Sequence, residues 1–220
     1  MDVTVPTPRG PGRLVVQPAD APAAVLWLGH GAGGGIEARD LAALAGRLPG
    51  RGITVIRYEQ PWRVAGRRVA PPPATLDAAW GDAATLVREL AGGLPLVVGG
   101  RSAGARVACR TAVITAAVAV VCLAFPLHPP GKPKSRLAEL LLPQVPVLVL
   151  QGERDTFGTA AELAAELETD AAGTGRIRVV AVPGADHGMK VLKSSPFDDE
   201  GVATLLTSHV GDFVSEVALA

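Results

Sequence analysis

The stretch PLVVGGRSAGARVACR holds a serine with a glycine two positions away on either side, Gly100-Arg101-Ser102-Ala103-Gly104. An apolar run precedes it and small residues follow, the strand-to-helix context in which G-x-S-x-G turns a serine out of the chain as a nucleophile. Side chains at the two glycine positions would collide with neighbouring elements in so sharp a turn. A serine hydroxyl attacks poorly until a base takes its proton, so this reading demands a histidine and a carboxylate to orient it. Two later stretches supply them: LQGERDTFG contains Asp155 and GADHGMK contains His187. Glu153 and Asp186 are rival acids, and Asp155 ranks first because neighbours in a loop, as Asp186 and His187 are, rarely face each other. The competing role for Asp155 is to cap a helix expected near Thr159 to Leu167. His128, in a Pro-rich loop, has no carboxylate partner in the sequence order, and His209 falls near an apolar helical stripe where it is expected to be packed or hydrogen-bonded.

A second stretch, LWLGHGAGGGIEARD, supports two chemistries. From Gly29 it matches G-x-G-x-x-G (Gly29, Gly31, Gly34), with Glu59 ending the next apolar run where a ribose-binding acid could lie, as in a dinucleotide-binding turn. From His30 it is an H-G-x-G loop able to line an oxyanion hole. Gly33 and Gly35 oversupply the dinucleotide turn and His30 is bulky between two of its glycines, so the stretch alone leaves the choice nearly even. Ser102, Asp155 and His187 tip it toward acyl transfer, which needs backbone N–H groups at the developing oxyanion. The N–H of Ala103 is the expected first donor and that of Ala32 the second, with Gly33 as fallback.

These residues must be positioned by a regular frame. Seven runs, RLVVQ, AVLWLG, TVIRYE, LPLVVGG, AVAVVCLAF, VPVLVLQG and IRVVAV, read as strands, most without polar alternation. Strands apolar on both faces belong in a largely parallel sheet covered by helices. Leu41, Leu44, Ala45 and Leu48 form one helical stripe; Thr75 is placed to cap a second helix through Leu76, Trp80, Ala83, Val87 and Leu90. Val202, Leu205, Leu206, Val210, Phe213, Val214 and Val217 mark a third. The expected fold class is α/β, a mostly parallel central sheet with helices on both faces. Ser102, Asp155 and His187 each follow a strand, so they would emerge at one sheet edge, where such folds keep their sites. Little room for a helical lid remains between Leu123 and Val145. The loops Gln60 to Thr75 and Pro126 to Arg136 are rich in Pro and basic residues and are expected to be stiff surface connections.

At 220 residues one domain spanning 1–220 is the expectation. Lys plus Arg equals Asp plus Glu at 21 each, so no net basic field exists to draw nucleic acid or anionic lipid. Cys109 and Cys122 lie in apolar surroundings without metal-ligand spacing and read as buried free thiols, which suits a cytoplasmic setting. The N-terminal residues do not resemble a secretion signal, and the longest apolar run, Ala112 to Leu127, is shorter than a bilayer span and reads as a buried helix end plus a strand. Arg101, Arg63, Arg67, Arg68, Lys132 and Lys134 are candidates for a positive rim, against the simpler reading of solvated surface charge.

With LGHGAGG, RGITVIRYEQPWRVAGRRVAPPP, GGRSAGARVA, FPLHPPGKP, LQGERDTFG and GADHGMK together, the chain resembles, over about Leu26 to Lys190, a small α/β-hydrolase family related to testis-expressed protein 30 and the hydrolase-like domain of NSL-complex subunit three. It is more distantly similar to dienelactone hydrolases, in which the elbow nucleophile is typically cysteine; here it is Ser102. The resemblance implies an α/β-hydrolase fold and a Ser-His-Asp triad, and hardly a substrate. The expectation is a serine hydrolase of the carboxylic ester or thioester type acting on a small acyl substrate, without cofactor or metal. The alternative is a catalytically inactive hydrolase-fold module that binds a partner through its Pro/Arg loops.

Overall fold

The computed structural model describes residues 1–129, 134–169 and 175–219. The strands are β1 (Asp2–Val5), β2 (Gly12–Gln17), β3 (Ala24–Gly29), β4 (Ile53–Glu59), β5 (Leu96–Arg101), β6 (Ala119–Leu123), β7 (Val147–Gly152) and β8 (Ile177–Val182). They form one sheet in the order β1-β2-β4-β3-β5-β6-β7-β8. β1 and β2 join antiparallel, and every pairing from β4 to β8 is parallel.

The absence of polar alternation in the central strands has a direct cause. In β3, Val25 and Trp27 enter one core while Ala24, Leu26 and Leu28 enter the other; in β6, Val120 and Cys122 split from Ala119, Val121 and Leu123 in the same way. Alternate side chains leave opposite sheet faces, so two covered faces require apolar residues throughout. Helices α1 (Arg39–Arg47) and α7 (Asp199–Ala218) pack together over one face. The other face receives α2 (Pro61–Val64), α3 (Pro73–Ala91), α4 (Ala103–Thr111), α5 (Leu137–Leu140) and α6 (Ala160–Glu168). Trp27 stacks on Trp80 of α3 with ring centroids 3.7 Å apart, which fastens that helix to the central strand.

Several expectations need correction. β1 was not anticipated, because Asp-Val-Thr-Val is too short and too polar to read as a strand without its partner β2. Thr75 does not cap α3; the helix starts two residues earlier, with Pro73 in the first position, where the missing N–H costs nothing. The Gln60 to Thr75 loop is not wholly a surface connection, since Gln60, Pro61 and Trp62 are buried and begin α2. Nor does a helix continue past Thr111: the turn that follows exposes Val113 and Ile114. Between β6 and β7 the described residues contain one helical turn, α5, and nothing large enough to form a lid. Among the described residues no helix is long and apolar enough to cross a membrane.

Candidate active site

The connection α1 crosses one face of the sheet and α3 the other, so the chain changes winding direction between β3 and its neighbour β5. Such a switch point opens a crevice at the C-terminal ends of the strands. Ser102 follows β5 there with φ 52° and ψ −111°. A non-glycine residue in such a conformation costs about 1–3 kcal/mol and persists only where its surroundings over-determine it. They do so here: the Ser102 N–H donates to the Leu123 carbonyl at 2.9 Å, while α4 begins at the next residue. The flanking glycines allow close backbone approach. A Cβ on Gly100 would meet the Gly104 carbonyl carbon at 2.8 Å and the Gly29 carbonyl oxygen at 2.5 Å, and one on Gly104 would strike that same carbonyl.

The structure brings Ser102, His187 and Asp155 together from loops after three different strands. His187 Nε2 lies 2.9 Å from Ser102 Oγ, and His187 Nδ1 lies 2.8 Å from Asp155 Oδ2 and 3.0 Å from Oδ1. Asp155 is buried and further held by the Phe157 N–H at 2.8 Å and by Gln151 Nε2 at 3.0 Å. The Phe157 ring packs against the imidazole, centroids 4.2 Å apart. Asp155 does not cap α6; Thr159 does so, in a capping box with Glu162. The rival acids are engaged elsewhere: Glu153 accepts from the Gly184 N–H, and Asp186 accepts from the N–H groups of Gly188 and Lys190.

The loop after β3 lies beside this group. Ala32 and Ala103 line one hollow together with Trp62 and Leu76, and among the described residues neither alanine N–H donates to a protein acceptor. A cavity of about 240 Å³ adjoins that hollow, sharing Gln60 and Trp62 with it and bounded by Pro61, Pro71 and Ala79. Neither of these hollows, nor a larger one formed by Lys190 to Gly201, is lined by Ser102, Asp155 or His187; the first differs in including Ala103, next to the serine.

The dinucleotide reading of this loop does not fit the backbone. Its third glycine should let a helix pack closely on a strand, yet a Cβ on Gly34 would meet open space and α1 starts only at Arg39. Glu59 is paired with Arg13 at 2.9 Å. Among the described residues no group of three His, Cys, Asp or Glu side chains is arranged to hold a metal. Cys109 and Cys122 are buried free thiols in hydrogen-bond contact, Sγ to Sγ 3.5 Å, with no disulfide between them.

Other site residues fall differently from the sequence reading. His209 is exposed rather than packed. His128 does have an acidic neighbour, Glu166, at 3.5 Å. Arg101 does not belong to a positive rim: its Nε lies 3.1 Å from Oδ2 of the buried Asp40, and its Nη2 donates to the His187 carbonyl at 2.6 Å. Arg67, Arg68 and Lys134 are exposed, Arg63 is half-buried beside Gly35, and Lys132 lies outside the described residues. Gln151, Asp40 and the second role of Arg101 escaped sequence reasoning. Gln151, polar at the end of the otherwise apolar run VLVL, is the one that left a visible sign.

A largely parallel sheet with a strained serine between β5 and α4 and a histidine after the last strand defines the α/β-hydrolase class. The chain belongs to the alpha/beta hydrolase domain family, whose model matches residues 22–215. No curated protein matches it. Among solved structures it is similar to a lidless serine hydrolase from Xanthomonas campestris, with 20% identity over 97% of this chain and 94% of that one and a TM-score of 0.73. An alpha-beta serine hydrolase homologue from Coxiella burnetii shares 16% identity over 96% and 97% of the two chains, with a TM-score of 0.77. A Klebsiella pneumoniae protein provisionally named a dienelactone hydrolase shares 18% over 98% of each, with a TM-score of 0.73.

Proposed function

We propose that the protein is a serine hydrolase that cleaves small carboxylic esters or thioesters through an acyl-enzyme. The observation that carries this reading is the unbroken hydrogen-bond chain from Asp155 through both ring nitrogens of His187 to Ser102 Oγ. Ser102 Oγ attacks the acyl carbonyl carbon while His187 Nε2 accepts its proton. Asp155 holds the Nδ1–H tautomer and stabilises the imidazolium. The negative charge on the carbonyl oxygen is met by the N–H groups of Ala32 and Ala103; removing a donor of this kind costs about 3 kcal/mol in the barrier. His187 then gives its proton to the departing alcohol or thiol, and a water deprotonated by the same imidazole releases the acid and restores Ser102. No step calls on a metal or cofactor.

Substrate size follows from the surroundings. With one helical turn between β6 and β7 among the described residues, the serine is approached from an open face, which favours a small acyl group. On this proposal residues 1–220 form one catalytic unit, akin to the group of testis-expressed protein 30, and the two free thiols suit a cytoplasmic enzyme. A fluorophosphonate probe at neutral pH tests it: Ser102 is labelled in the native protein and labelling is absent in Ser102→Ala. A natively folded protein that takes no label is a binding scaffold instead.

A further inference from the structure

The catalytic reading uses Ser102, His187 and Asp155 but leaves unexplained a second, fully buried carboxylate close to the same histidine. Asp40 opens α1 with its side chain withdrawn from solvent; its Oδ1 accepts the Leu41 N–H at 2.9 Å and its Oδ2 faces Arg101 Nε at 3.1 Å. Arg101 immediately precedes the serine and ends β5. Its Nη2 reaches across to the His187 carbonyl at 2.6 Å, and its Nη1 lies under the β3 loop, 3.0 Å from where a Cβ on Gly31 would stand. One guanidinium therefore touches the start of α1, the loop after β3 and the loop after β8. Met189, two residues past the histidine, has φ 55°, so that loop is held in a conformation it would not adopt unaided.

We propose that Arg101 and Asp40 are positioning residues for the base: buried Asp40 aims the Arg101 guanidinium, whose Nη2–H anchors the His187 carbonyl and keeps the imidazole between Asp155 and Ser102. The proposal rests on the triad reading above. A planar guanidinium suits this task, because one group can ion-pair with a carboxylate on one side, where no hydrogen bond closes on Asp40 Oδ2, and donate to a carbonyl on the other. The arrangement also accounts for glycine at position 31, where any side chain would press on the guanidinium. Burial raises the Asp40 carboxyl above its ordinary value, and the neighbouring Arg101 guanidinium pulls it back down.

Arg101→Met, Arg101→Lys and Asp40→Asn separate positioning from scaffolding. With a fluorophosphonate, the maximal rate of Ser102 labelling falls about 10- to 100-fold in Arg101→Met and about tenfold in Asp40→Asn, while the half-saturating probe concentration stays within about twofold, as expected for a misplaced base. Arg101→Lys keeps one of the two contacts and recovers part of the rate. Should Arg101→Met not fold, Arg101→Lys and Asp40→Asn carry the test. The tautomer of His187, read by long-range ¹H–¹⁵N correlation in a Ser102→Ala background, is a single Nδ1–H form that becomes mixed in the Arg101 variants. This readout needs no activity, so a protein that takes no label but shows the tautomer change loses the enzyme reading and keeps the brace. Folded variants with wild-type labelling rates and an unchanged tautomer overturn the proposal.

Discussion

Two histidines stand at the C-terminal ends of parallel strands, in loops of similar composition, and their ring nitrogens are engaged differently. His30, after β3, is buried, accepts the Gln60 N–H on Nε2 at 3.2 Å and meets the Gly31 carbonyl with Nδ1 at 2.9 Å. Both ring nitrogens are used up by backbone, so the ring is a neutral strut, and burial lowers its pKa. His187, after β8, has a carboxylate on Nδ1 and a hydroxyl on Nε2. A ring whose nitrogens face an acid and a nucleophile can shuttle a proton, and one whose nitrogens are saturated by peptide groups can only hold a loop in place.

The comparison can be broken most directly by removing each ring. His187→Ala is expected to lower kcat toward a p-nitrophenyl ester by about 10⁴- to 10⁶-fold, as Ser102→Ala does, because members of a triad act as a unit; a loss below tenfold would make the two histidines equivalent. Asp155→Asn, which leaves the ring in place and presents it in the wrong tautomer, is expected to lower kcat by about 10⁴-fold with KM little changed.

Subtler tests separate the two rings by stability and by pH. His30→Ala strands the Gln60 N–H and the Gly31 carbonyl, and denaturant melts should record a loss of about 1–3 kcal/mol, with kcat far less affected than by His187→Ala. The pH dependence sharpens this. The unfolded chain protonates His30 near the ordinary value of 6.5 while the folded chain holds it neutral to lower pH, so its contribution is intact above 6.5 and is lost as pH falls through that value toward the lower folded one. Urea midpoints between pH 7.5 and 5.5 should therefore drop more steeply in the native protein than in His30→Gln.

How much of this was legible in advance depends on how local each signal is. Strands buried on both faces and helices with one apolar stripe declare themselves through periodicity, which is why β2 to β8 and the stripes of α1, α3 and α7 were readable. Ser102, the proposed nucleophile, was legible because a sharp turn imposes glycines at two set positions. Asp155 over Glu153 and Asp186 was a ranking from spacing, and the distances to His187 supply what spacing lacked. Arg101 and Asp40 were invisible as a pair: 61 positions separate them in sequence, and an arginine at a strand end ordinarily signals solvent rather than a buried partner.

The sequence by itself determined the α/β order of elements, the outward turn at Ser102 and the order Ser, Asp, His, because backbone geometry and side-chain periodicity act over a few residues. Only the tertiary structure decided which histidine meets both a carboxylate and the Ser102 hydroxyl, which acid that is, and that a guanidinium beside the serine is tied down rather than displayed. Those outcomes depend on the approach of loops that follow β3, β5, β7 and β8, and that approach is set by the register and winding of the sheet.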